Sequence, residues 1–403
     1  MHGWQTSCER KKCLYYKVMN ENPFELISMP ASREPVSLLA VDRAVSELRR
    51  GRFVVVGGGV AVLVQAAEGI TPETLLDLRL VSHQQPILAI TARRAAVLGL
   101  AETVGKVVTL AAGDRLSADL IQNIADPLSE NPLPEEVKKA LTVTVKETPT
   151  YDCESAAVAL MKLARLLPSA VTAEIADPTA DDLAAWTARH DFLLVDAGDI
   201  FQYDGTAART LRAVSSARVP LPGAQQTRII AFRPLDGGLE HLAIVIGEPD
   251  KEAPVLTRLH SECFTGDLLG SLRCDCGDQL QGAVKEITAA GTGVLLYLAQ
   301  EGRGIGLVNK LRAYELQDRG FDTMDANEQL GFDADERAYL PAARILHLLG
   351  FDRVRLMTNN PGKVSALANC GIVVEERVAH AFPSNKHNQT YLRTKAVRGG
   401  HVF

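Results

Sequence analysis

Cysteine is scarce in this chain, with seven among 403 residues. That excludes a small secreted scaffold framed by disulfides, and a reducing cytoplasm is the expected compartment. No apolar run reaches the length of about 18 residues that a membrane-spanning helix needs, so no membrane partner is expected. The opening MHGWQTSCERKKC has charges but no apolar stretch behind them, so it does not read as a secretory signal. An excess of basic residues is missing too. The net charge of -6 leaves no general footprint for nucleic acid, although a local basic pocket for a phosphate stays open. What is present is a globular composition, 46% hydrophobic and 23% charged, on a chain long enough for two domains.

Residues 1–35 show no clear period and read as a loose N-terminal tail, with Cys8 and Cys13 incidental. The stretch VDRAVSELRRG then places Val41, Val45 and Leu48 at helical spacing and ends on Gly51. RFVVVGGGVAVLVQAAEG reads as two β-branched strands around Gly57, Gly58 and Gly59. A phosphate loop would need GxxxxGK[ST] and a helix; here a second strand follows, so a tight hairpin is expected. PILAIT and HDFLLVDAGDI read as buried strands, and ESAAVALMKLARLL as an amphipathic helix. Pro220, Pro222 and Gly223 mark a domain boundary, giving 36–220 and 221–403. TRIIAFRP and EHLAIVIG follow as strands joined by a turn at Asp236–Gly238. The fold class is α/β, of α+β type, with two domains and no internal repeat.

The second half carries the chemistry. In HSECFTGDLLGSLRCDCGDQ, Cys263, Cys274 and Cys276 can bring three thiolates to one ion, and zinc favours thiolates in a tetrahedron. Three protein ligands plus water is the catalytic pattern; a structural knot would recruit His260 or Cys370 as the fourth. The H-x-E of zinc nucleoside deaminases is present, but their P-C-x-x-C is not. Further on, VLLYL runs into EGRGIG and a helix beginning near Leu307, the outline of an anion-binding turn. Arg303 there could fork onto a phosphate or carboxylate. Glu301 could accept from the N1–H and amino group of guanine, or could simply pair with Arg303. Asp333, Asp335, Glu336 and Arg337 fall where a helix is expected to start, so dipole capping competes with catalysis as their role. VRLMT ends in NNPGK before another helix, where Thr358 and Lys363 flank a phosphate seat or an ordinary turn with a surface lysine.

RLHSECFTGDLLGSLRCDCGDQL, LAQEGRGIGLVNKLRAYELQDRG, TMDANEQLGFDADER and RLMTNNPGKV, in this order, closely resemble the signature blocks of GTP cyclohydrolase II. The resemblance covers roughly residues 200–403. It implies hydrolytic opening of the GTP imidazole ring, with release of formate and pyrophosphate, as the first step of riboflavin biosynthesis. The product would be a ribosylamino-diaminopyrimidinone phosphate. Cys263, Cys274 and Cys276 would hold Zn²⁺, with water at the fourth position directed at C8, and Mg²⁺ would accompany the triphosphate. Arg258, Leu259, His260, Ser261, Glu262, Gln279, Glu301, Gly302, Arg303, Thr323, Thr358 and Lys363 match its GTP-contacting positions. Asp335 matches a proton acceptor, Arg337 a nucleophile toward the α-phosphate, and Tyr314 a tyrosine near the reacting base. A guanidinium with a pKa above about 12 is a poor nucleophile, so stabilising the phosphoryl transition state suits Arg337 better. Residues two apart do not share a face of a helix, so Asp335 and Arg337 would need an irregular turn to act together. Ala299 and Asp278 depart from the pattern, the first from a usual arginine and the second from a usual aromatic.

The first half resembles the framework of 3,4-dihydroxy-2-butanone 4-phosphate synthase through AVSELRRGRFVVV, LLPSAVTAEIAD and ARHDFLLVDAGDIF. The acidic loop of that family is expected after Val56, where GGGVAVLVQ stands, and its histidine block near 150, where TYDCESAAVAL stands. The expectation is therefore an inactive, degenerate domain kept as a dimerising or stabilising platform in a cytoplasmic homodimer. Two alternatives remain: a bifunctional enzyme with an active synthase domain, or a non-catalytic scaffold that binds zinc and GTP.

Overall fold

A computed structural model describes residues 34–382, apart from 103–106, 130, 132, 147–150 and 177–181. The expected N-terminal tail, with Cys8 and Cys13, lies outside the described residues. The chain forms two compact α/β units. One comprises Pro35–Asp204 together with Gln300–Arg337; the other comprises Gly205–Ala299 and the described residues from Ala338.

The first unit is built on strands β1 (Val54–Gly57), β2 (Val62–Ala66), β3 (Ile87–Thr91), β4 (Val107–Ala111), β5 (Thr142–Val145), β6 (Ser169–Glu174) and β7 (Leu193–Asp196). They lie in the order β5-β4-β3-β6-β2-β1-β7, antiparallel except for the parallel pair β1–β7. The apolar runs VVVG and VLVQA are buried throughout, as strands covered on both faces require. Alternation divides them, with Val55 and Leu63 facing one core, and Val54, Val56, Val62 and Val64 facing another. The triple glycine is the hairpin expected from the sequence. Gly59 has φ +86, and β1 pairs with β2 from Val54–Val64 to Val56–Val62. The ESAAVALMKLARLL helix forms over Cys153–Leu163, capped by the Asp152 side chain on Ser155 N at 2.8 Å.

The segment 300–337 belongs to this same unit. Its helices Leu307–Asp318 and Thr323–Gln329 bury Ile305, Ala313, Leu316, Ala326, Leu330 and Phe332 in one cluster with Leu167. Asp322 caps the second helix, accepting from Met324 N and Asp325 N.

The second unit carries β8 (Arg212–Arg218), β9 (Thr227–Arg233), β10 (His241–Ile246), β11 (Val255–Ser261), β12 (Gly293–Leu298), β13 (Arg353–Met357) and β14 (Val373–Val378). Their order is β14-β13-β11-β12-β10-β9-β8. β11 is central and parallel to both β12 and β13. The carboxyl ends of these three strands therefore open on one edge, where α/β sheets place their ligand crevices. Among the described residues no helix is long and apolar enough to cross a membrane.

Candidate metal and nucleotide site

β11 delivers Arg258, Leu259, His260 and Ser261 to the carboxyl edge of its sheet, and Glu262 and Cys263 follow directly. A wide turn over Phe264–Leu268 then folds Cys263 back toward Cys274 and toward Cys276, which opens the helix Cys276–Ala289. The three sulfurs lie within 4.8 Å of one another, with Cys263 Sγ and Cys274 Sγ 3.8 Å apart. His260 and Cys370, the two other candidates for a fourth ligand, stand outside this group. Gly266 passes directly over the thiols. A Cβ there would lie 2.8 Å from Cys274 Sγ and 3.0 Å from Cys263 Sγ, so glycine is required for the close approach. Crowded thiols resist ionising together: the Cys263 thiol and burial are the main causes that push Cys274 up to about 11, and Cys276 rises well above its ordinary value for similar reasons.

His260 is 3% exposed and directs Nε2 at Asp267, 3.0 Å from Oδ1 and 3.1 Å from Oδ2. Asp267 also accepts from Cys263 N at 3.0 Å and from Tyr297 Oη at 2.9 Å, and the Tyr297 ring stacks on His260. Sequence reasoning missed this carboxylate. It stands four residues after Cys263 in the CFTGD stretch. Arg258, 5% exposed, donates to Met357 O at 2.8 Å and to Gln279 Oε1 at 2.5 Å. Gln279 in turn donates to Asp275. Lys363 is buried, not the surface lysine of an ordinary turn, and its Nζ reaches Leu259 O at 3.1 Å. Thr358 directly follows β13 and accepts from Asn360 N at 3.0 Å. One unit thus gathers the thiols with Arg258, Leu259, His260, Ser261, Glu262, Gln279, Thr358 and Lys363.

The remaining candidates lie in the other unit. In EGRGIG, Gly302 and Arg303 both turn left-handed, at φ 65 and φ 62, so the loop doubles back before the helix at Leu307. Glu301 is 3% exposed and pairs with Lys310, Nζ to Oε1 at 2.8 Å, instead of with Arg303. Arg303 donates to Ala334 O at 3.1 Å. Lys310 also lies 5.7 Å from the centre of the Tyr314 ring, a cation–π contact. Thr323 opens its helix behind the Asp322 cap. Asp333, Asp335, Glu336 and Arg337 do not start a helix, because the next one begins at Leu340. They form an irregular turn instead, because Asp333 N and Glu336 N bond Glu336 Oε1 and Arg303 O rather than helical partners. On that turn Arg337 forks onto Asp335, Nε to Oδ1 at 2.7 Å and NH2 to Oδ2 at 2.5 Å. Burial pushes Asp335 up, but the Arg337 bonds and charge outweigh it and hold the carboxyl below its usual range.

The GTP cyclohydrolase II family profile matches residues 212–379. A GTP cyclohydrolase-2 from Azospirillum brasilense is 55% identical over 373 residues, spanning 92% of this chain and 95% of its own length. The chain belongs to the GTP cyclohydrolase II family. It is a hydrolase of mixed α/β fold. A shorter member, the GTP cyclohydrolase-2 of Cronobacter sakazakii, is 52% identical over 193 residues, covering 48% of this chain and 98% of its own. The riboflavin biosynthesis protein RibBA of Synechocystis is 44% identical over 253 residues, 61% of this chain and 45% of that protein. Among solved structures, a two-domain 3,4-dihydroxy-2-butanone 4-phosphate synthase from A. baumannii aligns over 85% of the chain and 99% of its own at 18% identity and TM-score 0.34.

Proposed function

We propose that this family member opens the imidazole ring of GTP with a thiolate-held Zn²⁺. It releases formate and pyrophosphate and yields a ribosylamino-diaminopyrimidinone phosphate for riboflavin synthesis. The observation that carries the reading is the thiol triad. Tetrahedral zinc with bonds of about 2.3 Å sets its sulfurs about 3.8 Å apart. The 3.8 Å separation of Cys263 and Cys274 fits that edge. The glycine-tight cradle and the three-thiol ligand set, one short of a closed structural site, support a catalytic ion. When bound, such an ion supplies a Lewis acid and a water acidified to near neutrality.

The chain's own groups divide the remaining work. Asp267 fixes the His260 ring and the Cys263 backbone, so the residue between β11 and the first thiol is held in orientation. Buried Arg258 and Lys363 suit the phosphates, with Thr358, Ser261 and Gln279 as polar contacts. Glu301 suits guanine, since a carboxylate accepts from its N1–H and amino group, and Lys310 holds that carboxylate in place. Tyr314 and Thr323 belong to the same assignment, on the base side. Asp335 is held too acidic to serve well as a proton acceptor from a guanidinium, so we assign it to aim Arg337, and Arg337 to stabilise charge at the α-phosphate. Mg²⁺ would travel with the triphosphate. The synthase-like half has only glycines and apolar residues between β1 and β2, which supports its loss of synthase activity. The same reading makes the enzyme a cytoplasmic homodimer.

The test is to supply metal-replete protein with GTP and Mg²⁺ and to follow formate, with Cys274→Ser beside the parent. Formate from the parent, and loss of both zinc and formate in Cys274→Ser, is the expected result. Binding of GTP with no formate would instead favour the scaffold reading, and turnover of ribulose 5-phosphate would favour the bifunctional one.

A further inference from the structure

The turn that carries Asp335 and Arg337 has no regular structure of its own, yet it is tied down from several sides. Two of the ties come from basic residues far back in the sequence. Lys162 stands in the last turn of the Cys153–Leu163 helix, whose Ala156, Ala157, Leu160 and Met161 are locked in a core. Its Nζ lies 2.6 Å from Glu336 Oε1, 3.8 Å from Asp333 Oδ2 and 6.0 Å from the centre of the Phe332 ring. The same Glu336 oxygen accepts from Asp333 N at 2.7 Å. Arg93, just after β3, donates Nε to Asp333 Oδ1 and sets NH1 3.2 Å from Glu328. Its neighbours reinforce the seat: Thr91 Oγ1 donates to Gly331 O at 2.7 Å, and buried Arg94 donates to Gln329 O at 3.0 Å. On the opposite flank, Glu336 N donates to Arg303 O at 3.1 Å. Gly304 permits that approach, since a Cβ there would lie 2.8 Å from Glu336 O.

We propose that Lys162 and Arg93 are positioning residues, which through Glu336 and Asp333 hold the turn so that Arg337 presents its guanidinium to the α-phosphate. The inference rests on the assignment of Arg337 made above. It gives the synthase-like half a task in the cyclohydrolase reaction other than its own lost chemistry. Both side chains are about a quarter exposed, and ion pairs of that kind contribute little to stability. Their loss should therefore show in turnover and not in folding, because a misplacement of about an ångström at a reacting group costs up to about a hundredfold in rate.

The experiment uses the zinc-loaded full-length enzyme with Lys162→Met and Arg93→Met, and measures kcat and KM for pyrophosphate release from GTP beside thermal unfolding. The expected result is a kcat lowered about tenfold or more, with KM within about twofold and unfolding little changed. Lys162→Arg should recover most of the loss. Arg337→Ala is the control: if it leaves pyrophosphate release intact, the reading of the turn itself has failed. If Arg337→Ala lowers release while Lys162→Met and Arg93→Met keep the parent kcat, the positioning inference is overturned. Should Lys162→Met not fold, Glu336→Met removes the acceptor at the other end of the same bond; a similar loss of kcat supports the inference, and a parent-like kcat overturns it.

Discussion

The thiol loop and the 301–337 segment are held in place in two different ways. The thiol loop is local. Cys263, Gly266, Asp267, Cys274 and Cys276 sit within one short stretch at the end of a central strand, and they organise one another. The 301–337 segment is borrowed ground: its helices, loop and turn rest on Leu167, Arg165, Glu68, Arg93, Arg94 and Lys162, residues far earlier in the chain. Local construction makes a site that short-range sequence specifies almost alone. Borrowed construction makes one whose geometry depends on a domain that need not perform chemistry.

The largest effect should come from undoing the borrowed packing. Phe332 is 1% exposed in the cluster that seats the segment. Phe332→Ala should cost about 3–5 kcal/mol by urea unfolding, the usual price of a buried phenyl cavity. Bound zinc per chain should stay near the parent value, because the three thiols belong to the other unit. Zinc lost in parallel with stability would break the contrast between the regions.

A smaller effect should come from the thiol side. Gly266→Ala drives a methyl group into Cys274 Sγ and Cys263 Sγ without removing a ligand. Overpacking of this kind costs about 1–3 kcal/mol, and disturbed support of metal ligands weakens affinity about 10–100-fold. Zinc competition with a chelator measures it. Gly304→Ala, at φ +99 against Glu336 O, is the matching change in the other region and should leave zinc affinity alone.

The same contrast explains what could be read in advance. The hairpin at Gly57–Gly59, the strand VLLYL and the clustered cysteines follow from short apolar runs, glycine punctuation and ligand spacing. Lys310, the partner of Glu301, stands in the first turn of the helix after EGRGIG, whereas the sequence offers the nearer Arg303 as the alternative to guanine. Acidic residues commonly stand at a helix start, so the 333–337 sequence predicts one where the structure has an irregular turn. Nothing local could reveal that Lys162, in an ordinary amphipathic helix, would hold Glu336: such a bond is fixed by tertiary packing and leaves no period in the sequence.

The smallest effect is a titration, and it separates the regions by sign. Among the thiols, like groups crowd together and Cys274 is pushed up to about 11. On the turn, burial raises Asp335, yet the opposite charge of Arg337 prevails and its carboxyl falls below the ordinary 3.8. A depressed carboxyl contributes its stability above the unfolded value and loses it as pH falls through the folded one. The Asp335–Arg337 pair should therefore stay intact at pH 3.8 and open only in stronger acid. Following the Asp335 carboxyl carbon by NMR should give a midpoint below 3.8. In Arg337→Met burial is opposed only by the charge of Arg303, so the midpoint should rise. A midpoint that Arg337→Met leaves in place would mean that the fork does not hold the turn in solution, and the electrostatic difference between the two regions would vanish with it.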